Sequence, residues 1–290
     1  MGSKREFHFF QSEKKLFEIV RFKQLKGLAG FLYFCSMRGW MVAGFICVVL
    51  AGRGQPISDL FAEGLALEKA FNVKEALAKY EAVLQRQPAH EEALWRASRM
   101  ESNVGGHLKE KSAKRKHYEK AQVYAQKAIE LNPKSVGGRF AHIISMGLLS
   151  EIADNPREKI KNAKIIREEA ETLVILDSAF APVYFVLGKW HYELAKLNWL
   201  EQLACDFFFG GMPEDVSMEK AIRHFERAST LDPDNILFLY GEASVYHYQK
   251  NYPRAKVLLV RAVRLAPREP DDILRKEKCQ AMLDQINEKS

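Results

Sequence analysis

The sequence predicts an all-α fold, a solenoid of about five helix–turn–helix repeats with lengthened helices and a C-terminal capping helix. Three observations point there. An Ala, a second Ala seven residues on and a Pro five after that recur as Ala121–Ala128–Pro133, Ala221–Ala228–Pro233 and Ala255–Ala262–Pro267. Helical patterns alternate along the chain without strand-like runs. The units recur at intervals typical of stacked repeats. Small residues at helical spacing let two helices approach closely, and a Pro that starts the next unit forfeits no hydrogen bond there.

The first unit has a weaker second helix, carried by Ala76, Tyr80, Val83 and Pro88, after a first helix with Gly64 where the two meet. Ser98 holds the meeting place in the second unit, and the long pattern Lys111–Leu131 is its second helix. Arg157–Leu176 is the next long second helix, passing through Ile166 and ending in Leu173, Asp177 and Ser178. The fourth unit has Gly188 and Phe225, and the fifth has Ala243 and Leu259. Leu67 and Tyr246 fall three after their small residues, as core positions should. The anchors Ala76, Ala121, Ile166, Ala221 and Ala255 stand 45, 45, 55 and 34 residues apart. The first two spacings exceed the last by 11, which is about three helical turns, so helices lengthen without rotating the buried face. The larger excess follows Lys196 and includes Asn198-Trp199-Leu200 and Phe207 to Pro213. That stretch is too apolar for a solvated loop and is expected to pack on the array or form a contact surface. Asp271 to Ile286, rich in Lys and Glu, reads as the polar cap that a solenoid needs.

Three segments follow from composition. Residues 1–54 hold nine Lys/Arg against three acids, whereas residues 55–290 hold 35 against 34. The basic balance belongs to the leader, and the array at +1 is a poor match for nucleic acid. Trp40 to Gly52 is an uncharged run of signal-peptide length, followed by Arg53-Gly54. The expectation is that residues 1–36 precede the true start at Met37, that 37–54 are a signal peptide or membrane anchor, and that 55–290 are the solenoid. Cleavage before Gln55 would export the protein to the periplasm or the medium. An uncleaved segment would associate it with a membrane, and a cytoplasmic or cytoskeletal place ranks last. Cys35, Cys47, Cys205 and Cys279 make no C-x-x-C pair, so neither a zinc site nor a disulfide framework is indicated.

The repeat pattern resembles the tetratricopeptide (TPR) superfamily. More narrowly, Leu94-Trp95-Arg96-Ala97-Ser98-Arg99 and the helix Lys159 to Glu168 look like segments of the regulator of microtubule dynamics family, and the insertion with Trp199 and Met212-Pro213 sits where that family has one. The resemblance covers roughly Ala93 to Pro267. It implies a TPR-like domain, with members linked to microtubules or organelle membranes. The leader, which reads as secretory, departs from the animal members.

No chemistry-bearing constellation stands out. Gly137-Gly138 and Gly210-Gly211 lack the spacing of a phosphate-binding loop, and the eight His form no H-E-x-x-H. His90-Glu91-Glu92 reads as a helix start. The expectation is no enzyme, no cofactor and no metal. First helices of such repeats line a concave groove, and their register selects Trp95, Arg99, Phe185, Lys189, Tyr192, Glu193, Tyr240, Ser244, His247 and Tyr248. Aromatics and Arg are the residues on which binding hot spots rely. His191 falls at a packing position, and the charged run Lys109–Lys116 reads as a solvated face. The expected function is a scaffold or adaptor that takes a protein or peptide in this groove. The alternatives are a membrane-tethered structural or cytoskeletal organiser and an accessory subunit of an enzyme.

Overall fold

A computed structural model describes residues 55–197 and 215–288. The leader, the insertion over 198–213 and Cys205 therefore lie outside the described residues. Within them are eleven helices: α1 (Ile57–Lys69), α2 (Val73–Arg86), α3 (Glu91–Gly106), α4 (Lys111–Leu131), α5 (Val136–Ile152), α6 (Pro156–Leu176), α7 (Ala181–Ala195), α8 (Met218–Leu231), α9 (Ile236–Tyr248), α10 (Tyr252–Arg264) and α11 (Asp271–Glu288). No strand occurs among the described residues. Each helix packs on its successor in sequence, and α3 on α5 and α7 on α9 add contacts between first helices of adjacent units. The architecture is a TPR-like α-solenoid, with α11 closing it against α9 and α10.

The anchor residues of the second helices form the core. Ala76, Ala121, Ala128, Ala221, Ala228, Ala255 and Ala262 have no exposed surface, nor do Tyr80 and Leu259, and Phe225 is also buried. Ala125, where the other copies have a bulky residue, is equally buried, and the ring of that unit comes from Tyr118 instead. The long second helices are α4 and α6, each of 21 residues.

Four interunit turns share one construction. The residue after the second helix donates its N–H back to the helix, as Asn132 does to Ala128 and Asp232 to Ala228. Its carbonyl then accepts the N–H three residues on: His90 to Gln87, Ser135 to Asn132, Phe180 to Asp177 and Asn235 to Asp232. Pro88, Pro133 and Pro233 stand second in these turns, and Ser178 takes the same place. This corrects the expected role of the prolines. They preset the φ of the second turn residue and do not occupy the first helical position. The next helix is capped two residues later, where the Ser135 hydroxyl accepts from Gly138 N–H at 2.9 Å and Asn235 Oδ1 accepts from Leu237 N–H at 3.1 Å.

Cys279 is a free, fully buried thiol, and burial pushes its pKa up to about 11. The thiol therefore acts as a small core residue and is inert at neutral pH. In the run Lys109–Lys116, Lys111 pairs with Asp154, and Arg115 Nη1 lies 2.8 Å from Glu158 Oε1. That charged face is therefore partly spent on tying α4 to the start of α6.

Candidate partner-binding groove

The first helices α3, α7 and α9 carry the residues that the register selects, and the structure gathers them into two groups. In the first, Trp95 is half-buried on α3, and its indole lies on Gly137 of α5. A β-carbon on that glycine would stand 2.6 Å from Cε2 of the indole, so only Gly lets the ring lie there. The Arg96 guanidinium sits 4.4 Å from the centroid of the Trp95 ring.

Arg99 is exposed, and its Nη1 stands 3.6 Å from Glu68 Oε1 at the end of α1. Glu68 is the hub of this end. Its Oε2 accepts from the Tyr80 hydroxyl at 2.6 Å and from Arg96 Nη1 at 2.8 Å. Burial, and then the Glu68 carboxylate, hold the Tyr80 phenol well above its ordinary range. One carboxylate thus fixes the spacing of α1, α2 and α3. The register of apolar positions does not pick it out; the signal for it was the pair Arg96 and Arg99, one turn apart on α3.

The second group spans α7 and α9. The Tyr192 hydroxyl donates to Ser244 O at 3.3 Å, and its ring meets Tyr248 edge-on at 5.9 Å between centroids. Lys196 Nζ stands 4.5 Å from the centroid of the Tyr192 ring. Burial pushes the Tyr192 phenol up to about 12, so it stays a donor at any ordinary pH. Tyr248 is 49% exposed, and Lys189 and Glu193 are exposed on the same helix as Tyr192. Ser244 Oγ donates to Tyr240 O at 2.7 Å, within α9.

Other selected residues turn inward. Phe185 is half-buried, stacked on Phe238 and edge-on to Phe225, each at 5.5 Å between centroids. Tyr240 packs against the α9–α10–α11 core. His247 is half-buried, 5.7 Å from the Tyr252 ring. His191 is almost wholly buried, as its packing register requires. Among the described residues no cluster of His, Cys, Asp and Glu could hold a metal ion. No described helix is long and apolar enough to cross a membrane.

The family model described as regulator of microtubule dynamics protein 1-3 matches residues 60–287. The chain belongs to that family. It is 31% identical to regulator of microtubule dynamics protein 1 of Pongo abelii over 156 residues, which are 51% of this chain and 48% of that protein. It is 25% identical to regulator of microtubule dynamics protein 3 of Xenopus laevis over 144 residues, which are 50% of this chain and 31% of that protein. The chain thus spans about half the length, or less, of these curated relatives. Among solved structures, a thermophilic TPR protein of Thermus thermophilus superposes with a TM-score of 0.60 at 15% identity, over 78% of this chain and 100% of that one. A tetratricopeptide repeat protein from Parabacteroides merdae gives 0.53 at 16%, over 83% of this chain and 74% of that one. At such identities the likeness shows the fold.

Proposed function

We propose that this family member is a non-catalytic interaction scaffold that holds a protein or peptide along its first helices. The observation that carries the reading is the Tyr192–Tyr248–Lys196 group. Tyr248 and Lys196 are exposed there on a helix pair that the buried Phe225 ring already locks. Aromatic rings fixed on rigid helices lose little entropy on binding. Arg99 offers a charged contact at the other end of the array. The near-neutral balance of residues 55–290 favours a protein over a nucleic acid.

A second reading, a membrane-tethered organiser, is favoured by the family match and by the uncharged run Trp40–Gly52. The two readings combine if that run anchors the scaffold. They part if it is cleaved before Gln55 and the protein is exported.

The test is capture of partners from native lysate by the wild type and by a Trp95→Ala, Arg99→Ala, Lys196→Ala, Tyr248→Ala variant. Partners should be lost while the helical circular dichroism persists. A folded variant that keeps every partner would remove the first helices from consideration. The N-terminal sequence of the natural protein separates export from anchoring, and a stoichiometric enzyme among the captured proteins would favour an accessory subunit.

A further inference from the structure

A cleft of about 490 Å³ opens between α6 and α8, over α7. Its apolar lining comes from Val174, Ile175 and Leu187. Ile175 is 85% exposed, the most exposed large apolar side chain among the described residues. Arg223 and Arg227 stand one turn apart on α8 at the cleft, both exposed.

Among the described residues, the charges at the cleft do not balance. Asp215 is taken by Arg167 Nη1 and Lys220 Nζ, each at 2.7 Å, and Glu171 by Arg167 Nε at 2.8 Å. Arg223 and Arg227 have no carboxylate partner among the described residues. The Arg227 guanidinium lies 5.6 Å from the Tyr184 ring centroid instead. In the lining, His191 is 4% exposed, stacks parallel on His224 at 5.4 Å, and leaves Nδ1 without a hydrogen-bond partner. A buried polar atom left unpaired is costly.

We propose that this cleft is a second docking site, distinct from the first-helix groove, for an acidic peptide segment that carries a bulky aliphatic side chain. The aliphatic group packs on Ile175, Val174 and Leu187. Carboxylates flanking it meet the two guanidinium forks, which suit bidentate pairing. A membrane fits less well, because the apolar residues line a recess and two cations among the described residues of the cleft lack a carboxylate, whereas polybasic lipid-binding clusters use about four to eight. Nucleic acid fits less well again, since Glu171 and Asp215 sit beside those cations.

The probe is a short fluorescein-labelled peptide alternating Glu and Leu, titrated with the full chain and read by fluorescence anisotropy. Saturable binding that weakens with salt is expected. Arg223→Glu with Arg227→Glu should weaken it about tenfold or more, and Ile175→Ser several-fold. All three positions are exposed, so melting temperatures should stay at the wild-type value. The four-residue groove variant should bind the probe as the wild type does, so this site can fail without the groove failing, and the reverse. Four results would overturn the proposal: no saturable binding below about 1 mM; binding indifferent to these substitutions; equal loss in the groove variant; or co-sedimentation with phosphatidylserine vesicles, lost in the double Arg variant, with no binding of the peptide.

Discussion

Gly188 and Phe225 meet so closely that a β-carbon on the glycine would stand 2.9 Å from Cδ1 and Cγ of the ring. Gly241 makes the same demand from the other side, 2.7 Å from Cε1 of that ring. Phe225 is thus held between the first helices of two successive units, at 1% exposure. Gly64 with Tyr80 and Gly105 with Tyr118 repeat the device in the first two units. Glycine on a first helix and an aromatic ring on a second are what keep these helices close.

Gly188→Leu should therefore destabilise by overpacking, which typically costs about 1–3 kcal/mol. Gly188→Ala should cost less, and Phe225→Leu in its background should return part of the loss, because contacting residues couple. Urea denaturation of the four proteins tests this. An unchanged midpoint for Gly188→Leu would mean that α7 and α8 do not meet here.

The second helices were legible because their anchors lie in one buried stripe with a fixed spacing, and Lys111–Leu131 is that helix to the residue. The first helices were less so. Their contacts depend on a glycine whose partner is set by the neighbouring helix. In the second unit, where the helices are longer, the glycine–ring contact is made by Gly105, two turns beyond Ser98, and by Tyr118, two turns before Ala125. The prolines recur at a fixed spacing, but spacing alone does not tell a turn's second residue from a helix's first. Phe185 and Tyr248 looked alike as aromatics on first helices, and only the packing of α7 on α9 tells them apart. The cleft between α6 and α8 had no signal in one sequence, because it exists only where two helices stand apart.

That separation of aromatics is measurable. Phe185→Ala should destabilise by roughly 3 kcal/mol, toward the range for core aromatics, because its ring fills the space between Phe225, Phe238 and Gly241. Tyr248→Ala and Arg99→Ala should stay within about 0.5 kcal/mol, as exposed truncations do. Thermal melts of the three single variants decide it. Equal losses at Phe185 and Tyr248 would put both rings in the core.

Lys250 adopts a φ of 61°, in the left-handed region, at the turn between α9 and α10. Phe71, with φ 59°, does the same between α1 and α2. In both turns the following Asn donates its N–H back to the preceding helix: Asn72 to Leu67 O at 2.9 Å and Asn251 to Tyr246 O at 2.8 Å. This is the position that glycine favours. Lys250→Gly should stabilise by about 0.5–1 kcal/mol, the left-handed cost removed less the greater freedom of glycine in the unfolded chain. A lower urea midpoint would show that the Lys250 side chain contributes more than its backbone costs.

Glu101 is a buried carboxylate between His117 and Lys120, with both contacts at 2.6 Å. Burial opposes the Lys120 charge, but Glu101 and Glu81 outweigh it and hold the ammonium firmly protonated. Lys120→Met should cost about 1–3 kcal/mol, mostly through the carboxylate left behind. Adding Glu101→Gln should then cost less than it does alone. Additive losses in this double-mutant cycle would mean that the pair does not interact.

The stacked imidazoles His191 and His224 give stability an acid limit. Burial, then the neighbouring His224, lowers the His191 pKa from 6.5 to about 4, with Lys220 and Arg167 adding to the effect and Asp215 opposing it. His224 is lowered too, by burial and by Arg223 and Lys220. Below about 6.5 the unfolded chain takes a proton that the folded chain refuses, so stability falls as pH drops toward about 4 and levels off once the folded ring is also protonated. Glu242 works against this trend. Burial raises its carboxyl pKa, so the folded chain binds that proton earlier than the unfolded one as pH falls. The observed slope sums these shares with those of carboxyls held low, such as Glu169 and Asp272, and a substitution isolates one of them. His191→Leu removes that imidazole's share and leaves those of His224, Glu242 and the other carboxyls. Urea midpoints at about pH 7 and about pH 5 should show the wild type losing more stability than His191→Leu between them. Parallel losses in the two proteins would show that the His191 ring titrates in the folded chain as freely as in the unfolded one.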